Sequence, residues 1–315
     1  MVTIIMPCYN RSEFIIKALT NIQNQTYKEI EVIIVDDGSN DNTEQLIEKW
    51  RETEKAFEIR YFYQKNQGAA AARQNGLAHA SGEIVAFFDS DDLWQPDYLL
   101  SLRKALIDFN LDWVYCAVER RLLEDDSLIS ASSFEKKGFR GAATRLEDGL
   151  FQLNVNNAIE ESISNGIHMG FQNTLFRREI FDKIGIPNFR IGEDRLMALC
   201  LLKSKFQGGF LEKVLVSVYE HRDNTTSSGT SNYNKIKFTY VNLIKSYQNY
   251  SNYVALSAEE EKLLNKKIAG YYFWLLGYNA PSRVEKISFM IKGLWMQPSS
   301  LPMWKTFLAT MFYIK

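Results

Sequence analysis

The chain has 315 residues, 46% of them hydrophobic and 24% charged, with a net charge of -1. That balance fits a globular protein and excludes a general nucleic-acid binder, which would need a basic surface. Three scattered cysteines (Cys8, Cys116, Cys200) and three histidines (His79, His168, His221) exclude a disulfide framework, a zinc site of CxxC pairs and a His-rich metal site.

The opening MVTIIMPCYNR carries an apolar run too short for a signal peptide, without a basic lead. No stretch is apolar enough for long enough to span a bilayer. A reduced, cytoplasmic protein is expected. Residues 2–6 (VTIIM) then read as a short buried strand, and residues 12–25 as a helix capped by Ser12. A second buried strand follows at 31–37 (EVIIVDD), and SNDNTEQLIEKW leads from cap-forming residues into a helix. Residues 58–64 alternate as a strand, 68–80 (GAAAARQNGLAHA) form a small-residue helix, and 83–89 (EIVAFFD) give a fourth strand. Pro96 opens another helix, and 112–118 (DWVYCAV) is a fifth strand. This alternation predicts βαβ units in a Rossmann-like, mostly parallel sheet flanked by helices, an α/β fold. Ligands then bind at the carboxyl ends of the strands, a rim shared by Pro7–Arg11, Asp36–Ser39, Asn66–Gly68 and Asp89–Asp92.

Beyond the fifth strand, 120–190 reads as loops with short strands, 192–206 as a helix, and KVLVSVYEHRDNTTSSGTSN as a strand followed by a long polar loop. Residues 257–277 and 282–315 read as helices. The expected division is a catalytic domain at 1–225 and a loop with a C-terminal helical extension at 226–315.

Several rim segments carry chemistry, each with a plainer alternative. In DSDD (89–92), Asp89 and Asp91 offer hard carboxylate oxygens to Mg²⁺ or Mn²⁺ and a substrate phosphate, or else form a solvated turn. VDDGS holds an acid that suits a ribose or base, or is only Asp-Gly turn chemistry. A dinucleotide site would also need a glycine-rich turn after the first strand, and PCYNRSEF has none. No GxxxxGK[ST] loop occurs. Arg73, one turn into a small-residue helix, suits an acid or a diphosphate, or a plain salt bridge. Glu193 and Asp194 open a helix, as a hydroxyl-deprotonating base or as simple capping. His221 and Arg222 could meet a diphosphate under a closing loop, or lie in a surface loop.

Taken in order, IIMPCYNR, QTYKEIEVIIVDDGSNDNT, NQGAAAARQNGLAHASGEIVAFFDSDD with the Trp94 and Pro96–Asp97 that follow, and GEDRLMALCL resemble a family-2 glycosyltransferase of the GT-A fold, over about residues 1–225. The resemblance implies inverting transfer of a sugar from a nucleotide-sugar donor, a UDP-sugar favoured, to a glycan or lipid-linked acceptor. It implies that Pro7, Tyr9 and Asp37 line the nucleoside site with Arg73 beside it. Asp91 is the implied direct metal ligand, with Asp89 nearer the ribose. Asp194 is the implied general base, with Glu193 beside it, and His221 sits near the diphosphate with Arg222. Residues 166–181 resemble the segment lining the acceptor pocket. Mn²⁺ or Mg²⁺ is the implied cofactor, and surface-polysaccharide assembly the implied setting. Past 280 the sequence is rich in Trp, Phe, Met and Leu with mostly basic charges. It reads either as a peripheral contact with the inner membrane or as a tail packed on the catalytic domain or a second subunit. The competing functional readings are a non-catalytic nucleotide- or glycan-binding relative and another nucleotide-binding α/β enzyme.

Overall fold

The computed structural model describes residues 1–53, 57–134, 142–147, 149–221 and 232–313. Its backbone contacts divide it into two units. The first holds residues 1–162 and 166–222, and the second holds 163–165 with, among those described, 232–313.

The first unit is built on one sheet that holds eleven strands among the described residues. Strands β1 (Val2–Cys8), β2 (Ile30–Asp36), β3 (Glu58–Tyr63) and β4 (Ile84–Phe87) lie in the order β3-β2-β1-β4, all parallel. Helices α1 (Ile15–Gln23), α2 (Thr43–Thr53) and α3 (Ala69–His79) connect them in turn. This half realises the expected alternation because its strands are β-branched runs with two apolar faces. Val2, Ile4 and Met6 join Val32, Ile34, Ile84 and Ala86 in a core against α1 and α4 (Tyr98–Asp108). The intervening Ile5, Ile33, Val35, Val85 and Phe87 form the opposite core, against α3 and α7 (Glu193–Lys203). Period-two alternation thus sorts one strand between two cores. Gly76 is needed because α3 rides so close to the sheet that a Cβ there would lie 2.4 Å from Ile5 Cγ2.

Beyond β4 the sheet becomes mixed. A late strand, β10 (Thr174–Arg177), inserts antiparallel between β4 and β6 (Trp113–Leu122). The long β11 (Gly208–Glu220) then pairs parallel to β6. The short β5 (Leu93–Trp94) pairs antiparallel to β11, and β7 (Leu128–Ser130) pairs antiparallel to β6. At the far edge β9 (Leu150–Leu153) and β8 (Ala143–Glu147) extend the sheet antiparallel. Helices α5 (Val155–Ser164) and α6 (Ile180–Lys183) complete the middle region. The expected loops with short strands at 120–190 are therefore more ordered than their polarity suggests, because β6, β10 and β11 supply partners from distant sequence.

The second unit is helical, as expected. It contains α8 (Tyr233–Gln248), α9 (Ala258–Gly270), a wide π-turn (Tyr271–Gly277), α10 (Arg283–Met296) and α11 (Leu301–Tyr313). Ser257 and Glu260 form a reciprocal capping box at α9, and Ser282 caps α10. Among the described residues no helix is long and apolar enough to cross a membrane.

Candidate functional site

The carboxyl ends of β1, β2 and β4 and the start of α7 carry the polar residues singled out by sequence. At β1, Pro7 lies in the last turn of strand, and Tyr9 follows with its ring about half exposed. At β2, Asp37 is buried, and its carboxylate accepts hydrogen bonds from Gln64 Nε2 and the Gln67 amide (2.8 Å each) and from the Gly68 amide (2.7 Å). Its visible work is therefore to brace the turn that leads into α3. Its neighbour Asp36 accepts from Tyr61 Oη and the Ser39 amide.

After β4 the chain turns sharply, with the Asp92 amide donating to the Asp89 carbonyl. The three acids of this turn meet different partners. Asp89 Oδ1 accepts from Arg73 Nη2 at 2.9 Å. Asp91 Oδ2 lies 3.3 Å from Arg11 Nη2 and 3.1 Å from His221 Nε2. Asp92 is buried and accepts from the Tyr219 amide. Burial, then the charges of Asp91 and Asp89, push the Asp92 carboxyl well above the usual carboxylate range. His221 stacks on Phe14 at 5.4 Å, and the Arg11 guanidinium covers the same ring at 5.6 Å. Two cationic or protonatable groups thus stand on one face of the acidic turn.

Arg73 connects this turn to the acids of α7. Its side chain is only 6% exposed, and its guanidinium lies over the Phe171 ring at 4.8 Å. Nη2 holds Asp89, while Nη1 lies 3.7 Å from Glu193 Oε1. Nη1 and Nε make no hydrogen bond among the described residues, so the buried fork keeps unused donor capacity. Glu193 opens α7 after Gly192, whose left-handed φ of 90° lets the chain enter the helix at this point. Burial, then Asp194, push the Glu193 carboxyl up to about 7, against the opposing pull of Arg73. Asp194 Oδ1 accepts from the Arg195 amide at 2.7 Å.

The fold therefore brings Asp89, Arg73 and Glu193 into one chain of contacts, and Asp91 and His221 into another on the same turn. Asp37 shares the rim and turns its carboxylate to the 64–68 turn, and Tyr9 shares it half exposed. Arg222 lies outside the described residues. Sequence reasoning placed Arg11 and Asp92 on the rim without giving either a role, and it passed over Phe14. Arg11 had a signal, since it ends the rim segment after β1. Phe171 falls in the 166–181 segment expected to line the acceptor pocket, but only the tertiary fold brings it under Arg73.

A family model described as glycosyl transferase family 2 matches residues 3–185. The chain belongs to this family. An uncharacterised glycosyltransferase of Rickettsia felis is 31% identical over 223 residues, 69% of this chain and 33% of the relative. The chain spans about a third of the length of the Rickettsia relatives it matches. A Campylobacter jejuni protein named GalNAc(5)-diNAcBac-PP-undecaprenol beta-1,3-glucosyltransferase is 27% identical over 269 residues, 78% of this chain and 84% of that one. Among solved structures, a mannosyltransferase from Pyrobaculum calidifontis, in complex with GDP-Man and Mn²⁺, superposes with a TM-score of 0.59. It is 20% identical and covers 100% of this chain and 81% of its own. That likeness establishes the GT-A architecture: a mixed α/β sheet with flanking helices and a helical C-terminal region.

As a family-2 glycosyltransferase, the chain can be tested for its fit to a divalent cation. No cluster of three or more His, Cys, Asp or Glu side chains stands ready for a metal among the described residues. Mg²⁺ and Mn²⁺ commonly rest on one or two carboxylates, with water and substrate phosphate completing the shell. The turn supplies hard oxygen donors, and burial, then the charges of Asp91 and Asp89, raise the proton affinity of Asp92. A divalent cation would relieve the charge part of that cost, and the Asp89 and Asp91 carboxylates are donors of the kind it takes.

Proposed function

We propose that this chain transfers a sugar, with inversion and metal assistance, from a nucleoside-diphosphate sugar to a hydroxyl of a glycan or lipid-linked acceptor, in polysaccharide assembly. The observation that carries the reading is the buried Arg73, held between Asp89 on the donor rim and Glu193 beside Asp194. One residue ties an acid suited to a nucleotide sugar to an acid pair suited to proton removal. The Campylobacter relative's name supports an undecaprenol-linked class of acceptor, and the Pyrobaculum neighbour's ligands support a nucleotide sugar with a divalent cation.

In this reading Pro7, Tyr9 and Asp37 flank the nucleoside, with Asp37 acting mainly by holding the 64–68 turn in place. Asp91, with Asp89 beside it, would hold Mn²⁺ or Mg²⁺, whose charge would stabilise a leaving diphosphate. Arg11 and His221 contact Asp91 and would offset charge that a diphosphate adds there, and Arg222 follows His221 in sequence. Asp194 accepts the proton of the acceptor hydroxyl as its oxygen attacks the anomeric carbon. A single displacement inverts that carbon. No protonated acid is needed, because a diphosphate leaves as an anion. The free, buried Cys8, Cys116 and Cys200 fit a reducing compartment, where nucleotide sugars would be met on the cytoplasmic side.

The test is release of nucleoside diphosphate from a panel of UDP-, GDP- and dTDP-sugars, with undecaprenol-linked and free glycan acceptors, in Mn²⁺, Mg²⁺ or chelator. Release from one donor that chelator suppresses is expected, with UDP-sugars first in the panel. Turnover unaffected by chelator removes the metal from the reading, and no turnover with any donor–acceptor pair removes the transfer.

A further inference from the structure

The C-terminal helices present an apolar surface that the transfer site does not explain. Helices α10 and α11 bury one side together. Met290 and Leu294 of α10 and Met303 of α11 share a core with Ala269 and Phe273. Gly293 lets α10 press onto that core, since a Cβ there would lie 2.7 Å from Phe273 Cβ. A second side of each helix is apolar as well. On α10, Val284, Ile291 and Trp295 are 80%, 51% and 83% exposed, at spacings of seven and four that keep them on one stripe. On α11, Leu301, Leu308 and Phe312 are 71%, 48% and 80% exposed, again at spacings of seven and four. Single exposed apolar residues are ordinary. Two adjoining helices that each leave a stripe of apolar side chains in water are not.

The charges on these helices are mostly basic. Within the two helices stand Arg283, Lys286, Lys292 and Lys305 against a single acid, Glu285. Glu285 is already neutralised by an ion pair to Lys237. Arg283, Lys292 and Lys305 are exposed. Lys292 lays its ammonium over the Phe289 and Tyr272 rings at 5.5 and 5.6 Å, so its stem lies along apolar surface with the charge at the edge.

We propose that the outer stripes of α10 and α11 form an interfacial docking face for anionic lipid, with Trp295 and Phe312 entering the headgroup–acyl boundary and Arg283, Lys292 and Lys305 meeting the headgroups. Among the described residues no helix is long and apolar enough to cross a bilayer, and a face with apolar stripes edged by cations suits an interfacial position. Charge selects lipid over a second copy of the chain. A two-fold dimer through this face would set cations against cations around the apolar stripes, whereas an anionic leaflet complements them. The proposal does not depend on the transfer reaction, and its readout is separate from activity.

The test is cosedimentation of the full chain with vesicles of phosphatidylcholine alone and of phosphatidylcholine with phosphatidylglycerol, alongside sedimentation velocity without lipid. Binding to the anionic vesicles is expected, weakened by high salt and at least about tenfold stronger than to the neutral ones. Trp295→Ser with Phe312→Ser should weaken binding to anionic vesicles by about tenfold or more. Lys292→Glu with Lys305→Glu should erase the preference for anionic lipid. These positions are exposed, and an unchanged thermal midpoint certifies each variant. Should a variant unfold, quenching of wild-type tryptophan fluorescence by brominated lipid, expected only with anionic vesicles, replaces it. Equal binding to both vesicles, or binding to neither, overturns the proposal. A concentration-dependent dimer that Trp295→Ser abolishes also overturns it, assigning the face to a second copy.

Discussion

Replacing Glu193 by Gln should remove a pH-dependent weakness from the fold. The Glu193 carboxyl is pushed from 4.5 to about 7, by burial first and Asp194 second. Between those values the unfolded chain has lost the Glu193 proton and the folded chain still holds it. The folded state therefore binds more protons, and stability falls as pH rises through this window. Full desolvation over that span would correspond to about 3 kcal/mol. The side chain keeps 21% of its surface exposed, and Arg73 lies 3.7 Å away, so screening reduces the expected effect to about 1–2 kcal/mol. Gln occupies the same volume without the charge, and Arg73 retains Asp89. The assay is urea unfolding followed by tryptophan fluorescence, on both proteins, from pH 4.5 to 8. Carboxylates remote from Glu193 titrate in both and cancel in the difference. The stability of Glu193→Gln relative to the wild type should rise by about 1–2 kcal/mol between pH 4.5 and 7.5 and then level off. A flat difference, or one that falls with pH, refutes the account of charge at the start of α7.

Three further outcomes are expected. Asp194→Asn should lower transfer by about a hundredfold or more while leaving nucleotide affinity within about twofold, read from steady-state rates and calorimetry. Near-full transfer would reject Asp194 as the base. Gly76→Ala should destabilise by about 1–3 kcal/mol, since the new Cβ would press on Ile5 at 2.4 Å. Pairing it with Ile5→Ala should cost less than the sum of the two single changes, measured by chemical unfolding. Glu31 is buried and accepts from Thr3 Oγ1 and from the Ser81 and Gly82 amides. Burial raises its carboxyl, but these hydrogen bonds outweigh burial and hold it below the usual range. Its stabilisation is thus present above the unfolded value and lost as pH falls through the folded one. Glu31→Gln should destabilise by about 1–3 kcal/mol at pH 7, and the gap should narrow in acid.

The parallel half of the sheet was legible because β1, β2 and β4 write their burial into local sequence as runs such as VTIIM and IVAF. The acidic turn was equally legible, since three aspartates directly after a buried run demand an explanation. The antiparallel insertion of β10 was not, because TLFR looks like any short apolar run and only distant partners at β4 and β6 decide its place. The start of α1 shows the limits of local rules. Ser12 has the chemistry of a cap, yet the helix begins at Ile15, and the Ser12 amide donates instead to Asp41 Oδ2, a residue that also accepts from the Thr43 amide. Within the site, the sequence offered Arg73, Asp89 and Glu193 as separate candidates. That they form one chain of contacts depends on α3, β4 and α7 converging at one end of the sheet. Arg11 and His221 meet at Asp91 for the same reason, through residues some 80 and 130 positions apart in sequence.

The central claim is that the turn after β4 receives the nucleotide through a divalent cation. Calorimetric titration of UDP and GDP, each with Mn²⁺ and with chelator, into the wild type and Asp91→Ala tests it most directly. The account predicts that one nucleotide binds the wild type with Mn²⁺, that chelator weakens this binding by about tenfold or more, and that Asp91→Ala removes the difference between the two conditions. Binding of equal strength with and without metal, unchanged by Asp91→Ala, would contradict it.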